Sequence, residues 1–385
     1  MCKLIKAEKN YKDLFFFDYY LYLKVINVIL QTEPHMKTRI LLTALILQVS
    51  VLAFGQNIKR VDANTANGAP FTTLQAALDS AVAGDTIHLV GAASGYAGAT
   101  VTKQVVIIGP GYFLGENTDT QVNKSAARMV GSIRLSGSAS GTFIMGLHFD
   151  FGGGNILIDG GINNIVVKRN LMEGYVYLNY TSAINSNITI QQNYMTDSPV
   201  FQSYSYTNNN VFLFNNYIGG YIDGLTGSYM QISNNVINTT GSYAFYPSDP
   251  VTGCLIKNNI IRITGASPTS NVGVSNDFRN NISNVTVYDT ANYNQTGVDL
   301  ATVFELDPAV ATVAPYSTDS RWKLKAGSPA IAAGASGEDC GMYGGTDPYV
   351  LSGLPPIPAI YDLTAPSTAT QSGGLNVTIK AKSHQ

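Results

Sequence analysis

Between Ile165 and Asn281 apolar and polar positions alternate in short blocks that end on asparagine. They read Ile165-Val-Val-Lys-Arg-Asn170, Ile188-Thr-Ile-Gln-Gln-Asn193, Val211-Phe-Leu-Phe-Asn-Asn216, Met230-Gln-Ile-Ser-Asn-Asn235 and Cys254-Leu-Ile-Lys-Asn-Asn259. A degenerate sixth copy ends at Asn281, and the closing asparagines are separated by 23, 23, 19, 24 and 22 positions. Strict alternation predicts strands, and a period of this length fits one turn of a β-solenoid.

Alternation assigns each position a side. Ile165, Ile188, Val211, Met230 and Cys254 form one inward column, Val167, Ile190, Leu213, Ile232 and Ile256 a second, and Met172, Met195, Ile218, Ile237 and Ile261 a third. Stacked coils lie about 4.8 Å apart, so each column is an apolar stripe that no single repeat buries alone. The asparagines predict a ladder of side-chain amides at one corner, where Asn also tolerates left-handed backbone.

Upstream, Phe71-Thr-Thr-Leu-Gln-Ala-Ala-Leu-Asp-Ser-Ala-Val has a Thr start and apolar spacing of three and four, which predicts a short amphipathic helix. Gly84-Asp85-Thr86-Ile87 and Gly95-Tyr96 follow it. These residues, with Val105-Val-Ile-Ile-Gly109-Pro-Gly111 and Phe143-Ile-Met-Gly146-Leu147-His-Phe149, resemble the N-terminal cap and first coils of the pectin-lyase-like superfamily. Trp322-Lys-Leu-Lys-Ala-Gly327-Ser-Pro329-Ala-Ile331 and Asp339-Cys-Gly-Met-Tyr-Gly-Gly345 look like the closing coil of secreted bacterial β-helix proteins. The resemblance spans about residues 57–345 and implies an all-β, right-handed parallel β-helix with a short N-terminal capping helix and a C-terminal β cap or tail. It implies little about activity, since that superfamily holds lyases, hydrolases, esterases and adhesins.

The ends set the expected boundaries. Met36-Lys37-Thr38-Arg39 and the apolar run Ile40 to Phe54, closing on Ala53-Phe54-Gly55, have the form of a secretory signal peptide over residues 36–55. Residues 1–35 then read as a mis-assigned upstream start; the alternative is a membrane anchor at Leu14–Leu30, whose apolar run contains Asp18 and Lys24. The mature chain is expected to be one parallel β-helix over 56–345, followed over 346–385 by the Pro-rich Leu354-Pro-Pro-Ile-Pro and a β tail at Leu375–Lys382. No membrane span is expected in that mature chain, and a monomer secreted or held at the cell surface is the expected form.

Composition narrows the partners. Residues 1–55 hold 7 of the 23 basic and 4 of the 25 acidic side chains, so the mature chain carries a net charge of about −5 and no basic patch for nucleic acid. Its cysteines are Cys254 and Cys340, far apart in sequence, which permit a disulfide or two buried thiols.

Candidate chemistry is sparse. Lyases of this superfamily use acidic residues to hold calcium against a uronate and an Arg or Lys as base. The outward column Lys168, Gln191, Phe214, Ser233, Lys257, Arg279 has no carboxylate, and its neighbour Val166, Thr189, Phe212, Gln231, Leu255, Asp277 has one acid and an apolar centre. Asp150, Glu173 and Asp197, on three successive coils, form the best acidic group, with Lys168 or Arg169 as candidate base. These carboxyls could hold Ca²⁺ or act as acid and base, or simply face water in turns. Asp339 and Asp347 flank a glycine turn and offer the same alternatives, and no cofactor is otherwise implied. His88 and His148 read as single strand histidines, outside any metal cluster.

Aromatic residues mark the surface. Tyr175, Tyr177 and Tyr180, then Phe201, Tyr204 and Tyr206, then Tyr221, then Tyr243 and Tyr246, recur after each ladder turn. Exposed rings along a sheet stack on sugar faces or form protein interfaces, although Tyr also simply favours strands. Two functions stay open: a non-catalytic protein binding polysaccharide or a protein partner through Tyr175, Tyr177, Tyr204, Tyr206, Tyr221 and Tyr243, and a polysaccharide lyase or hydrolase acting on acidic glycans.

Overall fold

A computed structural model describes residues 57–181, 183–196, 208–248, 251–368 and 374–383. The expected signal at 36–55, the segment 1–35, and Asp197, Phe201, Tyr204 and Tyr206 lie outside the described residues. No helix among the described residues is long and apolar enough to cross a membrane.

The described residues wind into a parallel β-solenoid with three parallel sheets of ten, eight and four strands. In each sheet the inner strands pair with those of the coils before and after them. The ten-stranded sheet runs from Ile58–Val61 to Asp277–Arg279, the eight-stranded sheet from Arg128–Met129 to Ile282–Ser283. The expected register holds residue by residue: Ile165 faces Ile188, Ile188 faces Val211, and Val167, Ile190, Leu213, Ile232 and Ile256 stack in line. All three inward columns are buried. The helix Leu74–Ser80 is capped by Thr73, whose hydroxyl accepts from the Ala76 N–H, and it buries Leu74, Ala77 and Leu78.

The asparagine ladder forms and extends one step past Asn281 to Asn294. Asn193 shows the pattern. Its Nδ2 donates to the Val167 carbonyl of the preceding coil and to Asn216 Oδ1 of the next, and its own N–H donates to that same Oδ1. Each buried amide therefore closes hydrogen bonds on both sides, the condition under which buried polar groups add stability.

The left-handed corner lies one position earlier than expected. Arg169, Gln192, Asn215, Asn234, Asn258 and Asn280, not the ladder residues, take φ between 52° and 58°. The reversed backbone turns the chain from the ten-stranded to the eight-stranded sheet, and the following Asn then points inward.

Those corner side chains have a second role. The segment 333–354, expected to close the last coil and lead into a linker, instead runs back along the outside of the solenoid toward its N-terminal coils. Asn280 donates to the Ala333 carbonyl, Asn258 to Glu338 Oε1, Asn234 to the Asp339 carbonyl, and Asn215 to the Met342 and Gly344 carbonyls. Gln192 then donates to Asp347, and Arg169 to the Leu354 carbonyl. Six successive corners thus clip one strap in reverse order. The strap ends beside Tyr112, whose hydroxyl lies 2.7 Å from that of Tyr349.

A second apolar core lies under this return. Leu171, Tyr194, Tyr217, Val236, Ile260 and Ile282 cover the outer face of the eight-stranded sheet and pack against Leu300, Phe304, Trp322, Cys340, Met342 and Tyr349. Tyr217 sits 4.2 Å from Tyr194 and 4.9 Å from Trp322 between ring centroids. Sheets covered on both faces carry consecutive apolar residues, and the pairs Leu171-Met172, Tyr217-Ile218 and Ile260-Ile261 are that signal in the sequence. Cys254 and Cys340 are buried free thiols, so the disulfide alternative falls away. The tail strand Thr378–Ser383 pairs antiparallel with Pro358–Thr364 in a two-stranded sheet of its own.

Candidate functional site

Along the coil that follows Asn170, Glu173, Tyr175 and Tyr177 alternate with buried Gly174, Val176 and Leu178, so all three side chains stand on the outer side. Tyr177 pairs with Leu157 in the four-stranded sheet. Its ring lies 5.7 Å from that of Tyr175 and 6.3 Å from that of Tyr180, both edge to face. Arg134 sits 5.4 Å over Tyr180 and is itself held by Asp159 through two hydrogen bonds of 3.0 and 3.1 Å. Two coils on, Tyr221 stacks on Tyr246 at 5.1 Å and meets Tyr243 at 5.3 Å. Tyr204 and Tyr206 lie outside the described residues.

The carboxyls Asp150 and Glu173 come together just before this tyrosine row, and they bring in a residue that the sequence presents as isolated. His148 Nε2 lies 3.3 Å from Glu173 Oε1 and 3.7 Å from Asp150 Oδ1. The spacing carried a hint, because His148 and Asp150 are two apart on one strand edge and share a side. Arg128 closes the group from the preceding coil, donating to both oxygens of Asp150 at 3.1 and 2.6 Å.

One ligand atom from each of His148, Asp150 and Glu173 lies within 4.8 Å of the others, a spacing a metal ion could bridge. Calcium wants six to eight oxygen ligands. Here one of three donors is nitrogen, and both Asp150 oxygens already bind a guanidinium. The set fits calcium poorly and fits a polar clip between coils, built on the Arg128–Asp150 pair, well.

Lys168 and Arg169 do not join the carboxyls. Lys168 Nζ lies 2.7 Å from Asp347 Oδ2 on the strap. Arg169 is buried and donates to Gln192 Oε1 and the Leu354 carbonyl. Its guanidinium gives up its proton more readily than usual because burial disfavours the charge, with Asp347 opposing. Both cations thus belong to the strap. Burial works against ionisation of Asp347, but the hydrogen bond and charge of Lys168, with Gln192, outweigh it and hold the carboxyl below its ordinary range. Asp339 accepts from the Ala332 N–H, so the two acids beside the glycine turn serve the strap as well. His88 is half-buried, and burial followed by the charge of Arg60 favours its neutral form.

No protein-family model matches the chain, and no curated protein matches it. It is similar to the crystal structure of pectate lyase Pel9A at 12% identity, with 74% of this chain and 96% of that chain covered and a TM-score of 0.32. The chain's own strand register, coil upon coil through three parallel sheets, makes it a parallel β-solenoid.

Proposed function

We propose that this protein is a non-catalytic binding protein, secreted or held at a cell surface, whose tyrosine row grips a polysaccharide. The carrying observation is the outward alignment of Glu173, Tyr175 and Tyr177 along one coil, extended by Tyr180 and echoed two coils later by Tyr221 and on the coil after that by Tyr243 and Tyr246. Coil spacing sets Tyr221 about 10 Å from Tyr177 along the stack, so rings recur along the length of a bound polymer. Half-buried rings offer large apolar faces at little entropic cost, while the carboxyls beside them accept from sugar hydroxyls. Binding by a row of weak contacts gains from avidity.

Affinity electrophoresis against a panel of neutral and acidic polysaccharides tests this. One polymer should retard the mature protein, and Tyr177→Ala and Tyr221→Ala should each weaken retardation about tenfold. No retardation by any polymer, or full retardation of both variants, would defeat the proposal.

The second reading, a lyase for acidic glycans, draws on the adjacency of His148, Asp150 and Glu173. It would need a base other than Lys168 or Arg169, since both are committed to the strap. Ultraviolet absorbance from unsaturated uronate, appearing when the protein meets acidic glycans with or without calcium, would favour it over the binding role.

A further inference from the structure

A groove of about 450 Å³ lies on the outer face of the ten-stranded sheet, a different face from the tyrosine row. Its floor carries Gln191, Phe214, Gln231 and Lys257, and its far wall is the strap at Glu338 and Asp347. Phe214 and its neighbour Phe212 point outward from one strand, half-exposed, their rings stacked with centroids 5.4 Å apart and planes 21° from parallel, so that Phe212 buttresses the Phe214 ring that lines the groove.

The charges around this ring are unequally used. Asp347 is occupied by Lys168, Gln191 and Gln192. Glu338 accepts from Asn258 Nδ2 and the Ser336 N–H. Lys257 makes no ion pair at contact distance among the described residues, and its charge acts on Glu338 only from further off. Gln191 and Gln231 commit their amide nitrogens to Asp347 and Ser233 respectively, so neither carbonyl oxygen has a donor among the described residues. What the groove still offers is one half-exposed aromatic ring, one cation and two acceptors.

We propose that this groove is a binding site for an anionic sugar residue, its ring against Phe214, its carboxylate or sulfate on Lys257, and its hydroxyls donating to Gln191 and Gln231. A sugar ring has one face of C–H groups that suits an aromatic platform and a rim of hydroxyls that suits amides. The lone ammonium selects for negative charge at that rim. The site does not rest on the tyrosine-row reading, and either can fail alone.

Saturation-transfer NMR on the folded protein, with glucuronate, glucose 6-sulfate and glucose as probes, tests it. Both anions should receive saturation at their ring protons, and glucose should bind about fivefold more weakly. Lys257→Met should erase that preference, and Phe214→Ala should weaken all three about tenfold. If Phe214→Ala fails to fold by circular dichroism, Phe214→Leu keeps the bulk and removes the stacking. Tyr293→Ser, at an exposed ring that does not line the groove, should change nothing. The site is overturned if no probe receives saturation, if glucose binds as well as the anions, or if the Lys257 and Phe214 variants bind like the parent.

Discussion

The side-chain amide of Asn215 donates to the carbonyl of Gly344 at 2.7 Å, joining positions 129 residues apart in the chain. The same kind of bond recurs at five other corners, from Asn280 to Arg169, and it turns a stack of coils that could peel away singly into a body with its own clasp. Solenoids are held by nearest-neighbour contacts. A strap that touches six coils couples distant ones directly.

Deleting residues 298–385 should therefore expose Leu171, Tyr194, Tyr217, Val236, Ile260 and Ile282 together and yield an aggregating protein. A milder probe is Trp322→Ala, which removes the ring between Tyr217 and Phe304 and should cost about 3–5 kcal/mol in urea unfolding. A loss below about 1 kcal/mol would mean that the second apolar core adds little to the solenoid.

The ladder offers a contrast between buried and exposed amides. Asn216→Ala leaves the Asn193 N–H and Nδ2 without their acceptor in the core and should destabilise by on the order of 3 kcal/mol. Asn187 belongs to an exposed row in which Asn210 donates to it and it donates to Asn164. Its backbone also has φ of 58°, so Asn187→Gly, which keeps that conformation available, should change stability by about 0.5 kcal/mol or less. Urea titrations of the two variants measure the difference.

Asp347 sets an acid-side dependence. Its folded carboxyl ionises below the ordinary 3.8, so its contribution is present above that pH and is lost as pH falls through the lower folded value. Asp347→Asn should accordingly be less stable than the parent at neutral pH, and the gap should close in acid. Thermal melts from pH 7 to pH 2 read this directly, and a gap that is constant over the range would contradict it.

Burial pushes the thiols of Cys254 and Cys340 up to about 12. The thiolate is the reactive form, so neither should be alkylated by iodoacetamide at pH 8 in the native protein, and both should react once it is unfolded. Mass spectrometry of the alkylated chain counts them. Rapid native labelling of Cys340 would show that the strap opens readily.

Much of this architecture was legible in the sequence because it is local. Alternation within six residues assigns inside and outside, and a spacing near 22 residues sets the coil, so the columns through Val167 and Met172 and the Asn170 ladder could be named position by position. The outward columns through Lys168 and Val166 were equally readable, since neighbouring strands in this stack keep one register.

What tertiary structure alone decided involves partners far apart in sequence. Arg169 looks like a surface base beside Asp150 until Leu354 closes over it from 185 positions away. His148 looks solitary until stacking sets Glu173, on the next coil, against it. The strap's course over the corners depends on which exposed amides and apolar residues find each other once the coils exist. The repeat specifies the coil because each turn uses the same short-range pattern; the clasp, the groove and the charged clip come from contacts made once, and no periodicity records them.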